Sequence, residues 1–366
     1  MRKQSKKLRR YWPILSCNRH KKRLLEQSNR RRRKREKDPA GSTFQIIQAP
    51  QVFSITETEH RVEVAQFLVR LRRRALVDRK PLRVDFRHTK KMIACGTLLF
   101  LAELDRICRA TKGAVEVRCI LPKDKIVAQV LQQVGILKLF GRRRRLDESG
   151  FDKSVKHWQF ATGSCADATE FDSVLGDFEG KITTQLSRSI YKGVTEAMTN
   201  SAHHAYEDSR NDGTGIVDEK RWWMFSQEMD GELYVVFCDL GIGIPRSLSR
   251  DVNVSAGWRP ALAAFMDRFK AHQRQPTLIK AAIEIGRTRT NKPNRGLGLP
   301  QIVETVDKSG KGRVIIHSNA GAYFRSPGGK ANEILIQYNQ SIMGTLIQWS
   351  VPIETSDGSH GEKSEH

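Results

Sequence analysis

Glu196 and Asn200 stand four residues apart in EAMTNSAHHAY, within a stretch that reads as helical, KITTQLSRSIYKGVTEAMTNSAHHAYED. That spacing sends both side chains from one helix face, with His204 one turn further along. A carboxylate and an amide so placed can share a phosphate–metal site. The amide oxygen ligates Mg2+, and the carboxylate polarises a water. An ExxxN pair on a helix is common, however, and by itself is most often structural. His203 and His204 are read as surface or packing residues rather than catalytic ones.

Two glycine-containing strings could complete such a site. DLGIGIP, Asp239 to Pro245, follows an apolar strand, ELYVVFC, that leaves a hairpin through MDGE. A carboxylate ending a strand can accept hydrogen bonds from an adenine amino group. Gly241 and Gly243 allow backbone angles and close approach that a side chain would block. Further on, NRGLGLPQIVETV places Gly296, Leu297 and Gly298 at the opening of a helix from about Leu299 to Val306. A glycine turn into a helix N-terminus presents free N–H groups to phosphate. Taken singly, Asp239 reads as a strand-ending cap and the third string as an ordinary capped helix.

Order and spacing change that reading. ExxxN on a helix, a strand ending in DxGxG, GLGL opening a helix, and Gly344-Thr345 leading a last strand, TLIQWSVPI, together resemble the Bergerat-fold superfamily. It includes histidine kinases, DNA gyrase, mismatch-repair ATPases and a heat-shock chaperone. The resemblance spans about 171–354 and implies ATP and Mg2+ as ligands. Carried over by position, Glu196 becomes the general base for attack on the γ-phosphate and Asn200 the Mg2+ ligand. Asp239 becomes the adenine reader, with Gly241 and Gly243 shaping the base pocket. Gly296, Leu297 and Gly298 bind phosphate, while Thr345 helps hold the aspartate and a water. A flexible ATP lid is expected between Pro245 and Asn294. Its basic end brings Arg287, Arg289, Lys292 and Arg295 toward phosphate or leaves them solvated. Asn294 departs from the family pattern, which has glycine there. The sequence also ends soon after this region, without the second domain whose lysine serves gyrase, so turnover is expected to be slow or partner-stimulated.

Upstream, strand and helix alternate from Phe44 to about Gly141. FQIIQAP, PLRVDF and AVEVRCILP read as strands. Helical stretches run from Thr56 to Leu76, through GTLLFLAELDRICRAT, and through DKIVAQVLQQVGILKLF. The order and length resemble a STAS-like domain, the module of anti-sigma-factor antagonists. Where that family carries a phosphorylated serine turn, this chain has Ile93-Ala94-Cys95-Gly96. It lacks a hydroxyl at the modified position, so that switch is expected to be absent. The fold class expected is α/β: a STAS-like domain at 44–141, then a Bergerat sandwich at 171–354, with a mixed sheet and helices on one face. Residues 142–170 are a linker and entering strand, 355–366 a polar tail.

The chain holds 64 Lys+Arg against 40 Asp+Glu. Residues 1–38 alone hold 17 Lys+Arg and three acids, Glu26, Glu36 and Asp38. Residues 1–43 thus form a basic arm, expected to be disordered when free and drawn to polyanions, nucleic acid first. A mitochondrial presequence is the lesser alternative, since serine-rich character and amphipathic spacing are missing. Six cysteines without a CxxC fit a reduced, cytoplasmic setting, and the lone Cys17/His20 pair offers too few ligands for zinc. No apolar run reaches membrane-spanning length.

The leading expectation is an ATP-hydrolysing or ATP-switched protein, with a possible homodimer and a possible regulatory protein partner at the STAS-like domain. One alternative is a serine kinase of the anti-sigma-factor type acting on a separate protein. No histidine-bearing dimerisation hairpin is visible, which disfavours a histidine kinase. The other alternative is a nucleic-acid-binding regulator that uses ATP only as a ligand.

Overall fold

Val235 and Phe237 face one way from their strand and Val236 and Cys238 the other, yet all four are fully buried. A strand alternates its side chains between two faces, so both sides of this one must be covered. The computed structural model describes residues 44–142, 146–156, 158–165, 183–216, 218–254, 258–268, 274–288, 298–328 and 332–353. It is an α/β structure in which one antiparallel sheet is packed from both sides.

The first part runs β1 (Gln45–Gln48), β2 (Val52–Phe53), α1 (Thr58–Arg72), β3 (Leu82–Asp85) and β4 (Lys91–Met92). It continues with α2 (Ala94–Thr111), β5 (Val117–Ile120), α3 (Lys125–Gln133), α4 (Ile136–Leu139) and α5 (Lys153–Lys156). β1, β3 and β5 form a parallel sheet, and β2 pairs with β4, also in parallel. α1 runs on through a π turn, Arg73–Val77. The long helix expected from DKIVAQVLQQVGILKLF is broken in two by Gly135, whose φ is +79°. Asp124 caps its first half by accepting from the Val127 N–H at 2.9 Å.

The second part follows as β6 (Gln159–Gly163), α6 (Thr184–Asn200), β7 (Trp222–Met229) and β8 (Glu232–Asp239). After it come α7 (Ile244–Val254), α8 (Trp258–Arg268), α9 (Arg274–Thr288) and α10 (Gly298–Ser309). β9 (Arg313–Ser318), β10 (Gly321–Arg325), β11 (Glu333–Gln337) and β12 (Thr345–Pro352) complete it. Strand order is β11-β10-β9-β12-β8-β7-β6. Every pairing is antiparallel, so the expected mixed sheet is not found; the parallel pairs lie in the small sheets. The segment 245–294, expected as a lid, carries three helices over its described residues. The arm, the polar tail and the lid's basic end beyond Thr288 lie outside the described residues. Among those described, no helix is long and apolar enough to cross a membrane.

The helices of the second part that cover the large sheet lie on one face, and the other face is covered by a helix of the first part, which the sequence did not foreshadow. On one side α6, α9 and α10 bury Ile190, Val194, Ile279 and Ile302 against Phe237, Ile347 and Trp349. On the other, α2 lies across β7 and β8, and one continuous core joins it to Trp223, Phe225, Val236 and Cys238. α2 is apolar almost all round because it packs both on its own small sheet and on the large one. Glu103 of α2, fully buried, binds Arg72 at 2.7 Å and Arg210 at 2.6 Å. Arg106 binds Asp212 and Asp218, each at 2.6 Å. Burial works against the Glu103 charge, but Arg210, Arg72 and Arg106 outweigh it and hold its pKa at about 2. Arg61, also buried, donates to the Asn319 and Gln340 carbonyls at 2.9 and 3.2 Å and lies over the Tyr338 ring.

A shared core predicts shared unfolding. Calorimetry of the chain should show one cooperative transition, and Phe225→Ala should lower all of it by roughly 3–5 kcal/mol. Two separate transitions, with only one shifted by the substitution, would contradict the packing.

Candidate functional site

α6 starts where the Thr183 hydroxyl accepts from the Leu186 N–H at 3.2 Å, and its last turn carries Glu196 and Asn200. The helix then widens into a π turn, Ser201–Ala205. Such turns disrupt the α-helical register. The four-residue spacing that aligns Glu196 with Asn200 therefore does not carry His204 to the same face. His203 and His204 are exposed, with His204 beside Glu207.

The π turn joins the first motif to the second. The Ala205 carbonyl accepts from the Ile242 N–H at 2.7 Å, inside DLGIG. A side chain at position 241 would meet that carbonyl at 2.1 Å, so glycine is required there. Gly243 has φ +79°, and a Cβ on it would meet the Asn319 amide at 2.5 Å. That amide donates to the Ile242 carbonyl at 2.8 Å. The Tyr206 hydroxyl donates to the Arg221 carbonyl and accepts from the Leu240 N–H at 3.0 Å, closing the loop on its far side.

Asp239 ends β8 almost wholly buried, and its Oδ1 accepts from the Gly241 N–H at 3.0 Å. Burial pushes its carboxyl up to about 6, against the pull of the Gly241 and Thr345 N–H groups and of Arg210. Thr345 lies directly opposite on β12. Its hydroxyl is 3.1 Å from Ser318 Oγ, which in turn accepts from the Ile244 N–H at 2.8 Å. Ser318, Asn319, Tyr206 and Arg210 were not singled out by the sequence. They follow no motif spacing; only Tyr206 adjoins one, at the end of the EAMTNSAHHAY string.

Of the third motif, Gly298 is the first residue of α10; Gly296 and Leu297 lie outside the described residues, as do Arg289, Lys292, Asn294 and Arg295. Arg287 is in the last turn of α9. α10 packs along α6, and the Trp349 indole N–H donates to the Ile302 carbonyl at 3.2 Å between them. Leu299, next after Gly298, and Ile244, next after Gly243, pack into the same two apolar clusters. The π turn, the glycine loop and the start of β12 thus meet at the end of β8, and the start of α10 shares apolar clusters with Ile244 of that loop.

Two groups at the end of α6 lack what their chemistry requires. Asn200 Nδ2 is shielded from solvent with no hydrogen-bond partner, and so is Ser201 Oγ. An unsatisfied buried amide is costly unless a ligand completes it. Glu196, half-buried, has its carboxyl pushed up by desolvation, partly countered by Lys192. A carboxylate of raised pKa is a better base. Among the described residues no three His, Cys, Asp or Glu side chains gather around a point. Mg2+ needs no such cluster, because it commonly takes one or two protein oxygens and fills its shell with phosphate and water. The orphaned Nδ2 of Asn200 is a donor and suits a phosphate oxygen, while Oδ1 of the same amide is the atom that would take Mg2+. At the other end of the chain, Cys95 is buried in the shared core, where burial raises its thiol pKa, so it offers no accessible nucleophile.

A scan of the chain against protein-family models finds no match, and a search of curated proteins finds none either.

The buried Asp239 carries a testable cost. Its carboxyl titrates at about 6 in the fold against 3.8 in the open chain, so folding is penalised once the group ionises. Asp239→Asn should therefore be more stable than the parent above pH 6 by on the order of 1–3 kcal/mol. The advantage should shrink as pH falls through that range and vanish below about pH 4. Equal melting temperatures across pH would show that the carboxylate is not strained by burial.

Proposed function

We propose that this chain binds Mg-ATP as a member of the histidine-kinase-like, Bergerat-fold superfamily, with residues 44–141 as a STAS-like unit. The observation that carries the reading is the Ile242–Ala205 backbone contact. It seats the Glu196/Asn200 helix end on the Asp239-Leu240-Gly241-Ile242-Gly243 loop, beside an amide that has no partner. In this reading Asp239 accepts from the adenine amino group, and Gly241 and Gly243 line the base. Gly296, Leu297 and Gly298 offer backbone N–H groups to phosphate. Asn200 turns its amide oxygen to Mg2+, which when bound neutralises phosphate charge. Glu196 takes the proton from the attacking water, and its raised pKa suits that role. Hydrolysis of the γ-phosphate, slow or partner-stimulated, is the activity these residues support. Where the STAS family carries its phosphorylated serine this unit has the buried Cys95, and a protein partner would use surfaces other than the α2 face.

Glu196→Ala should keep Mg-ATP affinity within about twofold and lower turnover by about a hundredfold or more. Unchanged turnover removes the general-base role, and absence of heat on titrating Mg-ATP removes the reading. Label from γ-phosphate appearing on added protein instead of as free phosphate would favour the kinase alternative.

A second property rests on charge. Residues 44–145 hold 22 Lys+Arg against 9 Asp+Glu, whereas 146–366 hold 25 against 28. The positive excess therefore lies in the arm, the first unit and the Arg142–Arg145 run that follows it. The arm joins that unit at Phe44, whose ring lies under Arg83 and Arg118 at 5.1 and 4.5 Å on neighbouring strands. Arginines held on an aromatic ring suit phosphate and unstacked bases, and nucleic acid is the polyanion proposed for this end. Arg83→Glu with Arg118→Glu should weaken single-stranded oligonucleotide binding and lower its salt slope by about 1–2. Binding that is independent of salt would sink this assignment.

A further inference from the structure

Arg210 belongs to none of the four motifs, yet it touches both halves of the chain beside Asp239. Its Nη2 lies 2.6 Å from the Glu103 carboxylate of α2 and donates to the Met343 carbonyl at 2.5 Å. Met343 has φ +55° and Gly344 φ +147°, an uncommon pair of angles that needs holding. The turn they form presses on Asp239: a Cβ at position 344 would meet the Asp239 carbonyl at 2.3 Å. Thr345 follows, paired with Asp239 across the sheet. One guanidinium thus links a carboxylate of the first unit to the turn on which the proposed adenine-reading strand end rests.

The surrounding charges single out Arg210. Asp212 lies 4.0 Å from its Nε and is itself held by Arg106. Glu103 is shared with Arg72 and, at 3.7 Å, with Arg106. Nearest Asp239, burial raises the pKa of the Tyr206 hydroxyl and of the Cys238 thiol on its own strand, so both stay neutral. Its neighbours across the sheet, Trp222 of β7 and Thr345 of β12, carry no charge.

We propose that Arg210 is a positioning residue for the adenine end of the nucleotide site, held in place by Glu103, so that α2 governs the site's readiness to bind. The inference rests on the nucleotide-binding reading above. Two effects follow from one contact. The Met343–Thr345 turn is pinned against Asp239, and a positive charge favours the ionised carboxylate that an adenine amino group requires. Removing the charge leaves Asp239 buried with only backbone N–H groups to oppose its desolvation.

Calorimetric titration of Mg-ADP into the full chain, from about pH 5 to about pH 8, tests this without turnover. The parent should lose affinity as pH falls through about 6, and Asp239→Asn should lack that limb. Arg210→Met should bind about tenfold more weakly at neutral pH, with its acid limb about one unit higher. Arg210→Lys, which keeps the charge, should return the limb toward the parent position. Should Arg210→Met fail to fold, the Glu103→Gln/Arg210→Met pair, which removes both charges together, takes its place. A folded variant with parental affinity and limb overturns the proposal, as does lost affinity with an unmoved limb. Failure of both variants to fold also overturns it, since the cluster would then serve folding alone. If the parent binds no Mg-ADP at any pH, the nucleotide reading itself falls.

Discussion

A carboxylate ends a strand whose two faces are both covered by helices, and the rest of the molecule is arranged around that fact. β8 is an interior strand of the large sheet, with the apolar cluster of α6 and α10 on one side and α2 on the other. An ionised group at its end needs donors that water would otherwise supply. The fold provides them from the backbone at Gly241 and Thr345 and from the charge of Arg210. Each donor obliges another element. The Gly241 N–H is in reach because the loop folds tightly against the π turn, Thr345 because β12 pairs with β8, and Arg210 because Glu103 anchors it. The compensation is imperfect, and the carboxyl stays raised.

The same economy explains the close approach of the motifs. Backbone, not side chain, joins α6 to the glycine loop, and this makes glycine obligatory at position 241. The π turn is the device that brings the Ala205 carbonyl to Ile242. Ala205 is the last residue of that turn, so its carbonyl has no partner within the helix and is open to the Ile242 N–H. Strain at Met343 and Gly344 on the opposite strand is held in turn by Asn319 and Arg210.

Local patterns were the legible part of the sequence. Four-residue spacing placed Glu196 with Asn200, hairpin chemistry at MDGE placed the strand before Asp239, and alternation placed the strands and helices of the first part. What stayed hidden depends on contacts between distant residues. Nothing near Asn200 announces a π turn, so His204 was aligned with Asn200 when it is not. Gly135 looked tolerable within an amphipathic run, yet its left-handed angle ends the helix. Strand direction in the large sheet depends on which edges meet, and periodicity carries no such information. The apolar run of α2 signalled burial but could not say that one of its partners would be the large sheet.

That last feature bears on how such a chain can be inherited. A module moves between proteins only if the surface it leaves behind tolerates water. Here a cut along α2 would lay bare Trp223, Phe225 and Val236 and leave Arg210 without its carboxylate. Asp212 and Asp218, which lie 106 and 112 positions from Arg106 in the chain, would lose their counter-ion in the same stroke. The two halves are therefore bound to change together, and a substitution on one side of the seam sets which substitutions the other side can accept.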